Sequence, residues 1–139
     1  MDVAPRVAKV WQDTSALYDA MTLCKFMVKG ATMKWTEIRS FFNYVTGWNW
    51  SMDDFAKAAE RIMTMQRLIN IRDGITRKDD RLPSKMFQPA KIGPRAGKIP
   101  VPFDKALNAY YAMRGWNDDG IPTEEKIAEL GLAAYKACL

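Results

Sequence analysis

The chain has 139 residues, 48% of them hydrophobic and 27% charged, with a net charge of +5 from 21 basic and 16 acidic side chains. That is the length of one domain and a globular composition rather than a disordered one. The absence of histidine excludes a Ser-His-Asp triad, a Cys-His pair and a His-ligated zinc site within the chain, and two cysteines are too few for a disulfide framework.

Pro5 suits an early helical position. Val7, Val10, Trp11, Thr14, Leu17, Tyr18 and Met21 then recur at three- and four-residue steps, predicting a first helix to about Asp19 or Met21. Lys29-Gly30-Ala31-Thr32 reads as a loop. Thr36 is the expected N-cap of a second helix, with Glu37 in its first turn and Ile38, Phe41, Phe42 and Val45 along one side. Gly47 fits just past its end. Ser51 is the best N-cap in the chain, followed by Asp53 and Asp54. Phe55, Ala58, Ala59, Ile62, Met65, Leu68 and Ile69 predict a third helix from about Met52 to Arg72, stopping near Gly74.

From residue 75 to 102 the pattern vanishes. Pro83, Pro89, Pro94, Pro100 and Pro102 lie there, with Gly93 and Gly97. A loop this long is uncommon inside one domain, so it is expected to pack on the helices or wrap a partner. Its basic part, Lys85 to Lys98, has only Phe87 as an aromatic and so lacks the stacking row of a nucleic-acid surface. Helicity returns at Phe103, with Ala106, Leu107, Tyr110, Tyr111 and Arg114 in phase and Gly115 as the stop. Trp116 to Gly120 is a turn, and Thr123 caps a last short helix carrying Ile127, Leu130 and Leu132. The expected fold is mainly α: one domain over 1–139, about five helices in parts 5–74 and 103–132, and an irregular Pro/Gly-rich arm over about 75–102. No apolar run approaches the ~20 residues that span a bilayer, and no signal peptide is visible. A soluble, cytoplasmic protein with no nucleic-acid or membrane partner is expected.

Few residues suggest chemistry. Asp53 and Asp54 read as first-turn helix acids. Arg72 and Asp73 with Arg77, Asp79, Asp80 and Arg81 form either an ion-pair network tying the arm down or a presentation of arginine to an anion. Tyr110, Tyr111, Arg114 and Trp116 read as core and turn. Cys138, beside the C-terminus, reads as incidental. Asp19 precedes Cys24 by five residues at the end of the first helix. On spacing alone Cys24 is either a buried thiol or one ligand of a metal centre completed elsewhere, and both readings stay open.

The residues themselves carry a resemblance. Asp19-Ala-Met-Thr-Leu23-Cys24-Lys-Phe26 resembles the Asp-Ser-Leu-Gly-Leu-Cys-Lys-Phe motif of the aldehyde ferredoxin oxidoreductase family. The run from Arg72 to Pro83 is similar to its Arg-x-Gly-x-x-Arg-x-Asp-Asp-x-Leu-Pro segment. Tyr110-Tyr111-Ala-Met-Arg114-Gly-Trp116, ahead of Gly120-Ile-Pro-Thr123, is similar to its Tyr-Tyr-x-x-Arg-Gly-Trp-Asp and Gly-Ile-Pro-Thr segments. Leu130-Gly-Leu132 matches the usual ending. The resemblance implies a final helical domain of an enzyme that oxidises aldehydes with ferredoxin as acceptor, using a tungsten or molybdenum bis-pyranopterin and a [4Fe-4S] cluster. It implies Asp19 as a pterin contact, Leu23 as a backbone contact and Cys24 as a cluster ligand. The other cluster cysteines and the pterin-binding N-terminal part of the family have no counterpart here. The isolated chain is therefore expected to be inactive and without cofactor, with those N-terminal domains, in cis or as a second chain, as partners. Thr22 stands where the family motif has glycine. If that position needs a positive φ, threonine is costly there, and a displaced loop or an altered contact is expected. The alternative is a non-enzymatic helical module that docks to another protein.

Overall fold

The computed structural model describes residues 3–29, 33–94, 96–98 and 102–136. Among them seven α-helices and one 3-10 helix follow one another, and there is no sheet. The helices are α1 (Val3–Ala20), α2 (Lys25–Lys29), α3 (Trp35–Thr46), α4 (Met52–Arg72), α5 (Phe103–Arg114), α6 (Glu124–Glu129) and α7 (Ala133–Lys136). This corrects the expected count of about five. The two additional helices, α2 and α7, have five and four residues. Neither is long enough to show a 3.6-residue period.

The helix ends follow local chemistry. At α4 the Ser51 hydroxyl accepts from the Asp54 N–H at 3.1 Å, and the Asp54 carboxylate accepts from the Ser51 N–H at 2.7 Å. At α6 the Thr123 hydroxyl accepts from the Lys126 N–H. α3 begins earlier than a Thr36 cap would allow, because the Glu37 carboxylate reaches back to the Lys34 N–H at 2.6 Å. Three helices stop the same way. Ile75, Trp116 and Leu132 donate back to Asn70, Tyr111 and Ile127, with Gly74, Gly115 and Gly131 in the left-handed position before them.

α1 lies against both α4 and α5. Leu17, Phe55 and Ala59 form one apolar cluster, with Met21, Trp35, Phe42 and Trp50 packed on it. Leu68, Ile127, Leu130 and Leu132 form a second, joined by Met65. Between α1 and its neighbours lies a polar layer. The guanidinium of Arg114, fully buried, donates to Asp13, to Gln12 at 2.9 Å and to the Tyr110 hydroxyl at 2.9 Å. Lys9 pairs with Asp13 at 2.9 Å and with Glu60 at 3.2 Å. The first helix therefore turns a polar side inward. Val7, Val10 and Trp11, which share the helical apolar spacing of the sequence, are exposed, whereas Leu17 and Tyr18 are buried. α3 behaves alike: Ile38 is buried, but Phe41 and Val45 are exposed.

The stretch 75–102 is not one irregular arm, which is a second correction. Asp79 closes a turn by accepting from the Thr76 N–H at 2.8 Å and hydroxyl at 2.9 Å. A 3-10 helix covers Ser84–Phe87, and Phe87 meets Phe103 edge-on. Ala90 and Ala96 form an isolated bridge. Side-chain capping and proline geometry order this segment without any apolar period to announce it. Two ion pairs and two further arginine hydrogen bonds hold the charged residues around it. Arg67 pairs with Asp80 at 2.8 Å, Arg72 with Asp73 at 3.0 Å, and Arg77 donates to the Asp118 carbonyl and to Asn108.

Candidate functional site

The stop of α1 positions the three residues singled out by the sequence. The Leu23 N–H donates to the Tyr18 carbonyl at 2.9 Å and the Thr22 N–H to the Asp19 carbonyl at 3.2 Å. This is the same double-bonded stop that ends α4, α5 and α6, with Thr22 in the place of glycine. Thr22 has φ 54, and among the described residues it is the non-glycine residue with positive φ. Thr22 thus takes the positive φ at which threonine is costly. A left-handed residue with a side chain costs roughly 1–2 kcal/mol, and a branched β-carbon adds to it. The Thr22 hydroxyl donates to the Met21 carbonyl at 2.7 Å, a local bond that helps hold the conformation.

Asp19 sits in the last turn of α1, where the free carbonyls make the helix end negative. An acid there is unfavourable by roughly 0.3–1 kcal/mol. Its side chain is exposed, as is Cys24, whose carbonyl accepts from the Met27 N–H at the start of α2. Neither side chain makes a hydrogen bond among the described residues. Leu23 is half-buried and turns the other way, into an open apolar groove of about 500 Å³ between the end of α1, α2 and α3. Met21, Met27, Phe41, Phe42 and Val45 also line it. The turn thus separates its residues: carboxylate and thiol to solvent, leucine to the groove.

The groove was not legible as a surface feature in the sequence. The period of α3 marks Phe41 and Val45 as apolar positions but cannot say what covers them. Cys138 lies outside the described residues. Lys85, Lys91 and Lys98 are exposed, and Phe87 meets Phe103.

The donor set has a clear limit. A four-iron cluster takes four ligands. The chain has two cysteines in all, and no group of three or more ligating side chains exists among the described residues. An exposed thiol and an exposed carboxylate carried by one turn fit one contributed ligand and one contributed acceptor. They do not fit a complete centre.

Residues 2–132 match the family described as aldehyde ferredoxin oxidoreductase, domains 2 and 3. The chain is 36% identical over 136 residues to a tungsten-containing aldehyde ferredoxin oxidoreductase of Pyrococcus abyssi, covering 96% of this chain and 22% of that protein. It is 38% identical over 128 residues to the enzyme of the same name from Thermococcus kodakarensis, covering 91% of this chain and 21% of that protein. It is 33% identical over 129 residues to the WOR-like subunit of an aliphatic sulfonate oxidoreductase from Pyrococcus furiosus, covering 87% of this chain and 20% of that protein. Among solved structures it is similar to the active-site complex BamBC of benzoyl coenzyme A reductase bound to 1,5-dienoyl-CoA. There the TM-score is 0.52 and the identity 34%, over 66% of this chain and 13% of that one. The chain spans about a fifth of the length of the curated relatives it matches. With its motifs, its helical fold and these matches in agreement, the chain belongs to the aldehyde ferredoxin oxidoreductase family.

Proposed function

We propose that this chain acts as the C-terminal helical part of an aldehyde ferredoxin oxidoreductase-like enzyme and contributes Asp19, Leu23 and Cys24 to a cofactor cavity completed by other domains. The observation that carries the reading is the turn from Asp19 to Cys24. It holds an acid at the wrong end of a helix and a threonine in a left-handed conformation. Two local costs in six residues, offset among the described residues only by the Thr22 hydroxyl bond to Met21, support reading the turn as a site kept for function.

Under this reading the Cys24 thiolate is one cluster ligand and the Asp19 carboxylate accepts a hydrogen bond from a pterin ring nitrogen. The Leu23 backbone lies between them, fixed by its bond to Tyr18. When bound, a tungsten or molybdenum pterin with a [4Fe-4S] cluster supplies oxidation of an aldehyde to its acid and transfer of the two electrons to ferredoxin. The chain alone, with one such thiolate, carries out none of this.

Metal analysis of the purified chain and of the complete enzyme tests the reading. The chain alone is expected to hold tungsten, molybdenum and iron far below stoichiometry. In the complete enzyme, Cys24→Ser is expected to lower cluster iron and change its electron paramagnetic resonance signal. Stoichiometric metal on the chain alone, or full cluster iron in the serine variant, would sink the proposal. The second outcome would favour the other reading, a docking module without a redox role, for which the exposed apolar faces of α1 and α3 speak.

A further inference from the structure

α1 carries a seam that is filled along only part of its length. Val3, Val7, Val10, Thr14, Leu17 and Met21 are separated by alternating steps of four and three residues, the spacing of helix–helix packing. At the inner end Leu17 packs in the cluster with Phe55 and Ala59 of α4, and Met21 joins it. At the outer end Val3, Val7 and Val10 are 68%, 46% and 55% exposed. α1 does not roll to bury them. Asp13 is held by the fully buried Arg114, Lys9 by Glu60 of α4, and Gln12 by Tyr110 of α5. Turning the helix would strand that guanidinium without its carboxylate.

We infer that Val3, Val7 and Val10 are completed by an amphipathic helix of the polypeptide that carries the remainder of the family architecture, a docking surface separate from the Asp19–Cys24 turn. The inference rests on the family reading above. Three observations fix the occupant. The relatives are nearly five times as long as their match to this chain, so most of the architecture lies outside it. The inner half of the same seam already takes a helix, α4. The outer half presents three valines flanked by the exposed Arg6, so the side chains facing the valines are apolar and set at the same four-three spacing.

The test places the photo-crosslinking residue p-benzoylphenylalanine at position 10 of the complete enzyme, purified through a tag on this chain and irradiated. Mass spectrometry is expected to find position 10 joined to a helical segment outside residues 1–139, in a polypeptide matching the N-terminal part of the family. A crosslink within this chain, one to a second copy of it, no crosslink, or recovery of the chain without such a polypeptide overturns the inference. In the isolated chain, Val7→Thr with Val10→Thr is expected to move the melting temperature by ~2 °C or less, as exposed substitutions do. A much larger loss would show that the valines belong to this chain's own core, which also overturns it. Iron analysis of Cys24→Ser in the same preparation separates the two proposals. Full iron with the crosslink intact removes the cofactor role and leaves the seam; loss of iron without a crosslink does the reverse.

Discussion

Thr22 tests how much a single dihedral costs. Gly74, Gly115 and Gly131 occupy the equivalent position at the ends of α4, α5 and α6 with φ of 90, 68 and 67. Thr22 does the same with φ 54 and a branched side chain. Thr22→Gly is therefore expected to stabilise the isolated chain by about 1 kcal/mol, the relief of strain exceeding the added freedom of the unfolded glycine. Urea unfolding reads it, and a midpoint at or below that of the parent would show that the threonine is not strained. The glycines give the opposite experiment. A β-carbon at Gly131 meets nothing within 4 Å, so Gly131→Ala bears only the backbone cost, about 1 kcal/mol. One at Gly120, with φ +75, would stand 2.5 Å from Arg67 Nη2 and 2.7 Å from Tyr111 Cζ. Gly120→Ala is expected to cost at least about 2 kcal/mol more than Gly131→Ala, because overpacking is added to the dihedral. Equal losses would mean that the Arg67 and Tyr111 side chains move aside freely.

At the scale of elements, the polar layer decides how α1 sits. Asp13→Ala removes the carboxylate from a guanidinium with no solvent exposure, and is expected to destabilise by roughly 3–5 kcal/mol. Asp13→Leu combined with Arg114→Met, which removes both charges, is expected to lose far less. Chemical denaturation of the two variants beside the parent checks this, and equal losses in the single and double variants would show that the pair has no special weight. This layer also explains what the sequence could and could not reveal. Ser51, Thr123, Gly47, Gly74 and Gly115 mark helix ends through bonds within a few residues, so they were readable. Val7, Val10, Phe41 and Val45 follow a helical period that states only that a face is apolar, not what covers it, and all four are exposed. The inward side of α1 is set by Lys9 and Asp13 reaching residues 51 and 101 positions away, Glu60 and Arg114. No local pattern announces such a partner. Thr22 hid the left-handed turn because its residue type argues against one, and only the family motif, with glycine there, hinted at it.

At the scale of the whole molecule, one cluster ties the C-terminal half to the long central helix. Arg67 of α4 donates to the Gly120 carbonyl at 2.8 Å and to Asp80 at 3.1 Å, while Tyr111 of α5 donates its hydroxyl to the same Asp80. The Arg67 guanidinium lies 5.4 Å from the Trp116 ring centre and 5.9 Å from that of Tyr111. Helix α4, the turn after it, α5 and the Trp116–Gly120 turn thus meet at one point. Burial, reinforced by the hydrogen bond to Asp80 and its negative charge, pushes the Tyr111 phenol from 10.0 up to about 12. Its folded value lies above its unfolded one, so its stabilising contribution is complete below pH 10 and is lost as pH rises from 10 through about 12. Tyr111→Phe removes that titration and the hydrogen bond together. The parent is expected to exceed the phenylalanine variant by about 1 kcal/mol at neutral pH. That advantage should shrink between pH 10 and 12, while the lysines and other tyrosines, common to both proteins, cancel from the difference. Denaturant unfolding of the pair across this range measures it. A difference that stays constant to pH 12 would mean that Tyr111 is not the group whose ionisation loosens the junction.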